Sequence, residues 1–308
     1  MKKIILDVDT GVDDAVGIMV AVGDKNLELM AVTTVAGNVS LETAYINSYR
    51  VLDMLGKNPR QLVFAGCQEN VLERDVRAHE VHGIDGLNGM LRDKRYELCD
   101  VHGVLKIIEL IRANPNRITF VGTAPITNLA LAIKLAPDIV TKLQEVILMS
   151  GAYTVPGNVT PVAEFNAYGD PVALQIVLDA GFKKLKLIGL DVTKKTLMSA
   201  NRIMTIEDEK TASFVMALTE SYRKLYWDLD RLDGCAMHDP LAVTMVNHSD
   251  FCVFREAFVQ VVINDGITHG QTVCDFKKQP NALVAVEVDS DKALEYMIRS
   301  LDRVKCHE

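Results

Sequence analysis

Short apolar runs alternate with amphipathic stretches along most of this chain, and their spacing predicts its elements. Residues 4–8, 29–35 and 62–65 are aliphatic or β-branched runs of strand length. Between them, 13–22 and 40–55 carry apolar residues at helical spacing, with Ser40 as an N-cap, Thr43 in the first turn and Gly56 as a stop. Residues 66–101 lack a sustained period and are rich in Gly, His, Asp and Arg, the composition of a long functional loop. The alternation resumes with helices at 104–112 and 126–135 and strands at 118–121 and 145–149. A loop over 151–168 precedes Asp170-Pro171, which opens a helix as N-cap and N1 and is closed by Gly181. A strand follows at 185–190. The last third differs: one long helix over 206–227, a helix after Asp239-Pro240, strands at 258–263 and 283–288, and a terminal helix from Asp291.

Repeated strand–helix alternation implies right-handed βαβ units. The expected fold is α/β: a mainly parallel, Rossmann-like open sheet with helices on both faces and extra C-terminal helices and strands. No linker, repeat or low-complexity segment breaks residues 1–308, so one domain is expected. Open parallel sheets bind ligands at the carboxyl ends of their strands. That rule selects Asp7, Asp9, Asp13 and Asp14 after the first strand and Gly37-Asn38 after the second. It also selects Gly122-Thr123 after the strand at 118–121, and Asn158, Glu164 and Asn166 after the strand at 145–149.

Composition narrows the partners. Apolar residues make up 49% of the 308 and charged residues 24%, enough for a large core. The net charge of -8, without a dense Lys/Arg run, argues against a nucleic-acid partner and suits a neutral small molecule. The six cysteines are scattered, with no C-x-x-C pair, and read as reduced thiols. The N-terminal apolar run is too short for a signal peptide and no run is long enough to span a bilayer, so a cytoplasmic protein with no membrane partner is expected.

Four carboxylates, Asp7, Asp9, Asp13 and Asp14, fall within eight positions of Ile4-Ile5-Leu6-Asp7-Val8-Asp9-Thr10-Gly11-Val12-Asp13-Asp14-Ala15. They repel one another unless a cation sits among them, and hard oxygen donors favour Ca²⁺ or Mg²⁺ over zinc. Helix capping explains Asp13 and Asp14 as well, and Gly11 permits a tight turn. It does not explain Asp9, which closes an apolar run.

This segment resembles the signature of the inosine–uridine-preferring nucleoside hydrolase family. The resemblance continues in order through Val35-Ala36-Gly37-Asn38, Thr123 to Asn128, Ile147 to Ala152, Asn158, Ala163-Glu164-Phe165-Asn166 and Met237-His238-Asp239-Pro240. It implies one Ca²⁺ held by Asp9, Asp14, Asp239 and the main-chain carbonyl of Thr123, together with a water and the ribose 2′- and 3′-hydroxyls. Asp9 would be the general base. Asp13, Asn38, Asn158, Glu164 and Asn166 would hold the sugar, with Met149 and Phe165 also in the substrate site. His238 would stand near the leaving base, His82 would close over it, and Tyr226 would face it. The presence of His82 and His238 resembles members acting on pyrimidine nucleosides or on inosine and uridine rather than the purine-specific group. Asp228, Asp230, Arg231 and Asp233 are further candidates for base contacts. The resemblance also implies a homo-oligomer, a tetramer or dimer. Thr10 stands where many members carry Pro, and Ser150 where Gly is common; neither is an expected side-chain ligand.

The implied chemistry is hydrolysis of a ribosyl C–N bond through an oxocarbenium-like state, which an anionic pocket stabilises. Water attacking opposite the base predicts inversion. Each residue has a structural alternative: Asn38 and Asn158 as turn residues, Glu164 as a solvated charge, Asp239-Pro240 as a helix start, Met149 and Phe165 as packing. A haloacid-dehalogenase-like phosphotransferase also begins with a strand and Asp-x-Asp, but wants Thr or Val where Gly11 stands. Aspartic proteases use Asp-Thr-Gly but need a second copy on a β-rich scaffold. A non-catalytic nucleoside sensor would keep the calcium site without turnover.

Overall fold

The computed structural model describes residues 1–71, 77–78, 82–91, 96–97 and 99–307. A nine-stranded sheet forms the centre. Its strands are β1 Lys2–Val8, β2 Leu27–Thr34, β3 Val63–Ala65, β4 Ile118–Gly122, β5 Glu145–Met149, β6 Leu185–Ile188, β9 Cys252–Val261, β10 Thr272–Asp275 and β11 Ala282–Val288. The spatial order is β10-β9-β11-β6-β5-β4-β1-β2-β3; β7 Leu197–Met198 and β8 Cys235–Ala236 form a separate pair. Every pairing from β3 across to β11 is parallel, and β9 runs antiparallel between β11 and β10.

Alternation along β1 shows how the sequence builds the layers. Ile4, Leu6 and Val8 enter one apolar core with the helices Val12–Gly23 and His238–Thr244, and Ile5 enters the other with Phe64 and Phe120. Side chains of a strand alternate between faces, so continuous burial along β1 requires helices on both sides. The strand order reverses at β1, which pairs with β2 on one side and β4 on the other. Chains leaving two adjacent strands in opposite directions open a crevice at their carboxyl ends. Asp9 and Thr123 emerge there.

Several predicted signals appear as expected. Ser40 caps the helix Leu41–Met54, accepting from the Thr43 amide, and Gly56 follows that helix at φ +65°. Asp170 caps Pro171–Leu178, accepting from the Ala173 amide at 2.9 Å. Other expectations change. The loop 151–168 contains the start of a short helix, Phe165–Gly169, capped by Glu164. The long helix over 206–227 is two helices, Glu209–Leu218 and Glu220–Asp230. Thr219 stands at the break, its hydroxyl turned back onto the Val215 carbonyl at 2.7 Å, a bond that competes with the helical ladder. The helix at 239–240 begins at His238, and Asp239 does not cap it. The strand expected at 258–263 spans Cys252–Val261, and β10, Thr272–Asp275, is an additional strand beyond the expected set. Part of the loop 66–101, including His79, lies outside the described residues. Among the described residues no helix is long and apolar enough to cross a membrane.

Candidate active site

Four aspartates collect at the crevice. Gly11 ends the β1 turn as N-cap of Val12–Gly23, placing Asp13 and Asp14 in the first helical turn. Asp14 accepts from the Gly11 amide at 3.0 Å and the Thr123 hydroxyl at 2.9 Å. The helix His238–Thr244 packs across Val12–Gly23 and brings Asp239 in from the far end of the chain. Carboxylate oxygens of Asp13, Asp14 and Asp239 lie within 4.8 Å of one another, all buried. Asp9 adjoins them through Asp14. Asn38 aligns Asp9, donating its amide to one oxygen at 2.6 Å and its side-chain nitrogen to the other at 3.0 Å.

Burial first, and mutual repulsion second, push these carboxylates up: Asp13 to about 7, Asp9 and Asp239 well above the usual range, Asp14 in the same direction, although for Asp14 only burial raises it. Among the described residues no lysine or arginine forms an ion pair with any of the four. A cluster of buried acids without a cationic side chain suits a hard divalent cation, and the donors are all oxygen. The set implied by the resemblance was Asp9, Asp14, Asp239 and the Thr123 carbonyl; the tightest carboxylate group contains Asp13 in place of Asp9. The Thr123 carbonyl accepts from Asn166 Nδ2 at 2.9 Å.

Two glycines owe their identity to this packing. Gly11 has φ −96°, which any residue can adopt, so the tight-turn explanation does not hold. A Cβ there would stand 2.6 Å from His82 Nδ1, and one at Gly37 would stand 2.0 Å from Asp9 Oδ2.

Above the acids lies a cavity of about 780 Å³. Its wall includes Asp13, Asn38, Thr123, Met149, Asn158 and Glu164, and also Phe165, Asn166, His82, His238, Tyr226 and Asp239. Asp9 and Asp14 do not line it; they sit beneath, behind Asn38 and Thr123. Glu164 is no solvated charge. It is buried, accepts from the amides of Gly151, Asn166 and Ala167, and so ties the β5 turn to the following helix. Asn166 donates to the Met149 carbonyl at 3.0 Å as well as to Thr123, and Asn158 accepts from the Phe165 amide.

His82 stands beside Asp13, its Nδ1 4.0 Å from Asp13 Oδ1; it accepts from the Val12 amide at 3.0 Å, and its ring lies 5.8 Å from that of Tyr222. Tyr222 meets Tyr226 edge-on at 5.1 Å, and Tyr226 Oη lies 3.2 Å from His238 Nε2. Burial pushes both histidines down to about 3, so each is a neutral imidazole near neutral pH rather than a store of protons. Tyr222 and Thr193 escaped the sequence analysis. Tyr222 lies four residues before Tyr226, a spacing that shares a helix face and could have flagged it. Of the acidic candidates near 230, Asp230 reaches the cavity wall, while Asp228 and Asp233 are exposed away from it. Arg231 packs over the Trp227 ring.

Comparison with known proteins identifies the family. The family model described as inosine-uridine preferring nucleoside hydrolase matches residues 4–295. The chain is 36% identical to a protein of that name from Leishmania major, over 98% of both chains. It is 34% identical to a pyrimidine-specific ribonucleoside hydrolase of Escherichia coli O157:H7, over 94% of both. The solved purine-preferring ribonucleoside hydrolase of Gardnerella vaginalis superposes with a TM-score of 0.90 at 31% identity, over 98% of both chains. This chain is therefore a member of the inosine-uridine preferring nucleoside hydrolase family.

Proposed function

We propose that the protein hydrolyses the N-glycosidic bond of ribonucleosides, with Ca²⁺ as cofactor, and that it acts on pyrimidine nucleosides, inosine or both. The observation that carries this reading is the buried group of Asp13, Asp14 and Asp239, with Asp9 beside it, at a cavity that Asp13 and Asp239 line together with His82, Tyr226 and His238. A hard divalent cation held by Asp9, Asp14, Asp239 and the Thr123 carbonyl would supply electrostatic activation of water and of the sugar diol.

The side chains divide the work. Asp9 takes the proton of the attacking water; its burial beside Asp14 raises its proton affinity, which a general base needs. Asn38 holds both Asp9 oxygens, so the base has one orientation. The acidic floor stabilises positive charge as it develops on the ribose ring. Asp13, Asn38, Asn158, Glu164 and Asn166 position the sugar hydroxyls, which lowers the entropic cost of the reactive geometry. Met149 and Phe165 give that pocket its apolar wall. His82, His238 and Tyr226 receive the base, as neutral hydrogen-bonding groups. Attack from the side opposite the base inverts the anomeric carbon. The active species would be a homo-oligomer, a dimer or tetramer.

The test is ribose release from uridine, cytidine, inosine, adenosine and guanosine by the calcium-loaded protein, beside an Asp9→Ala variant. Release that falls by at least about 10³-fold in the variant is expected, with uridine, cytidine or inosine ahead of adenosine and guanosine. No release from any nucleoside by a folded, calcium-bound protein would overturn the hydrolase reading in favour of a sensor.

A further inference from the structure

Thr193 ends a short helix, Leu190–Thr193, that follows β6 at the carboxyl edge of the sheet. Its side chain is fully buried, and its Oγ1 lies 2.7 Å from His238 Nδ1. The other ring nitrogen, Nε2, lies 3.2 Å from Tyr226 Oη, where both residues line the cavity. A neutral imidazole has one donor nitrogen and one acceptor nitrogen. The two contacts therefore differ in kind, and hydrogen-bond satisfaction decides between them.

If Nδ1 carried the proton, it would donate to Thr193 Oγ1, and the hydroxyl proton would need another acceptor. Among the described residues Thr193 Oγ1 has no second hydrogen-bond partner. A buried O–H would be left unmet, which is costly. If Nε2 carries the proton, Thr193 donates to Nδ1 and Nε2–H donates to Tyr226 Oη. The phenolic proton of Tyr226 then faces the cavity, where water or a ligand can accept it. Only this arrangement leaves no buried donor of the pair without a partner.

We propose that Thr193 is a positioning residue that fixes His238 as its Nε2–H tautomer, so that Nε2–H holds Tyr226 Oη and leaves the phenolic O–H of Tyr226 as the donor to the leaving base. The role deepens the hydrolase reading and rests on it. As the C–N bond breaks, its electron pair leaves with the base. A phenolic O–H aimed at a carbonyl oxygen or unprotonated ring nitrogen, its oxygen held by the His238 N–H, stabilises that charge. The substrate class is then a nucleoside whose base turns such an acceptor toward Tyr226.

The test compares wild type, Thr193→Val and Thr193→Ser as full-length, calcium-loaded proteins. Nitrogen-15 NMR of labelled histidine, with His238 assigned by an His238→Asn variant, reads the tautomer directly. Wild type is expected to show protonated Nε2 and bare Nδ1, and Thr193→Val a mixture of tautomers. On the faster of uridine and inosine, Thr193→Val is expected to lower kcat about tenfold, the size of one hydrogen bond, with KM within about threefold. Thr193→Ser restores both. On p-nitrophenyl riboside, whose phenolate departs unaided, the loss shrinks to within about twofold. Protonated Nδ1 in wild type, an unchanged kcat in Thr193→Val, or an equal loss on both kinds of riboside would overturn the proposal. If wild type cleaves no riboside, the hydrolase reading falls and takes the base-directed role with it, while the spectrum still decides the tautomer.

Discussion

Asp9 and Gly37 show how tightly the site is built at the level of single residues. Asp9 is fully buried, and Gly37 leaves it room. A methyl group on Gly37 would meet both the Asp9 carboxylate and Pro125, and neither can retreat into solvent. Gly37→Ala is therefore expected to displace Asp9 from Asn38, weakening calcium binding at least tenfold by calorimetry and lowering kcat at least about 10²-fold. Wild-type calcium affinity in that variant would show that the approach is not required. The sequence motif exposed the carboxylates, but it did not show that Asp9 and Asp14 lie under the cavity floor while Asp13 and Asp239 face it. Nor could it rank histidine protonation, because burial, which pushes His82 and His238 down, is a tertiary property.

Elements make the site by ending where they do. Glu164 is an N-cap and a clasp at once, holding Asn166 and Ala167 at the start of one helix and Gly151 after β5. Losing a cap of this kind costs about 1–2 kcal/mol, so Glu164→Ala should lower Tm by about 2–4 °C without any ligand present. An unchanged Tm in calorimetry would mean the side chain serves substrate alone. The break at Thr219 also bears on placement: the helix Glu220–Asp230 begins just after it and lays Tyr222 and Tyr226 against the histidines. A single amphipathic period over 206–227 hid this break, since Thr is tolerated inside helices and its turned-back hydroxyl leaves no mark on the pattern.

At the scale of the whole molecule, the acidic floor makes stability depend on pH and on metal. Asp13 of the cluster is raised by burial to about 7, as is Asp7, which lies outside the cluster and accepts from Thr33 and Asn128. Between the usual carboxylate range near 4 and pH 7, the folded state holds protons that the unfolded chain has released, so these groups destabilise the fold as pH rises through that window. His82 and His238, lowered to about 3, act in the opposite sense below about 6.5, where the unfolded chain takes up protons that the folded state refuses. Their effect is common to both metal states, so the calcium-dependent difference isolates the carboxylates. The gain in Tm between chelator-treated and calcium-saturated protein is expected to increase from pH 5.5 to pH 7.5. A gain that stays flat or shrinks with rising pH in scanning calorimetry would overturn the assignment of the cluster as the cation site.

The sequence by itself determined the α/β class, most strand and helix positions in the first two-thirds, and many of the polar residues that meet in the cavity, though not Lys194 or Tyr222. Those features are local: apolar periodicity, caps such as Ser40 and Asp170, and short motifs whose spacing survives any rearrangement around them. Tertiary structure decided what depends on distant partners. It brought Asp239 from the far end of the chain onto Asp13 and Asp14, reversed the strand order at β1, and added β10 at the sheet edge. It also paired Thr193 with His238, 45 positions away. A lone buried threonine carries no sequence signal for such a contact, because only the packing of two elements sets where its hydroxyl points.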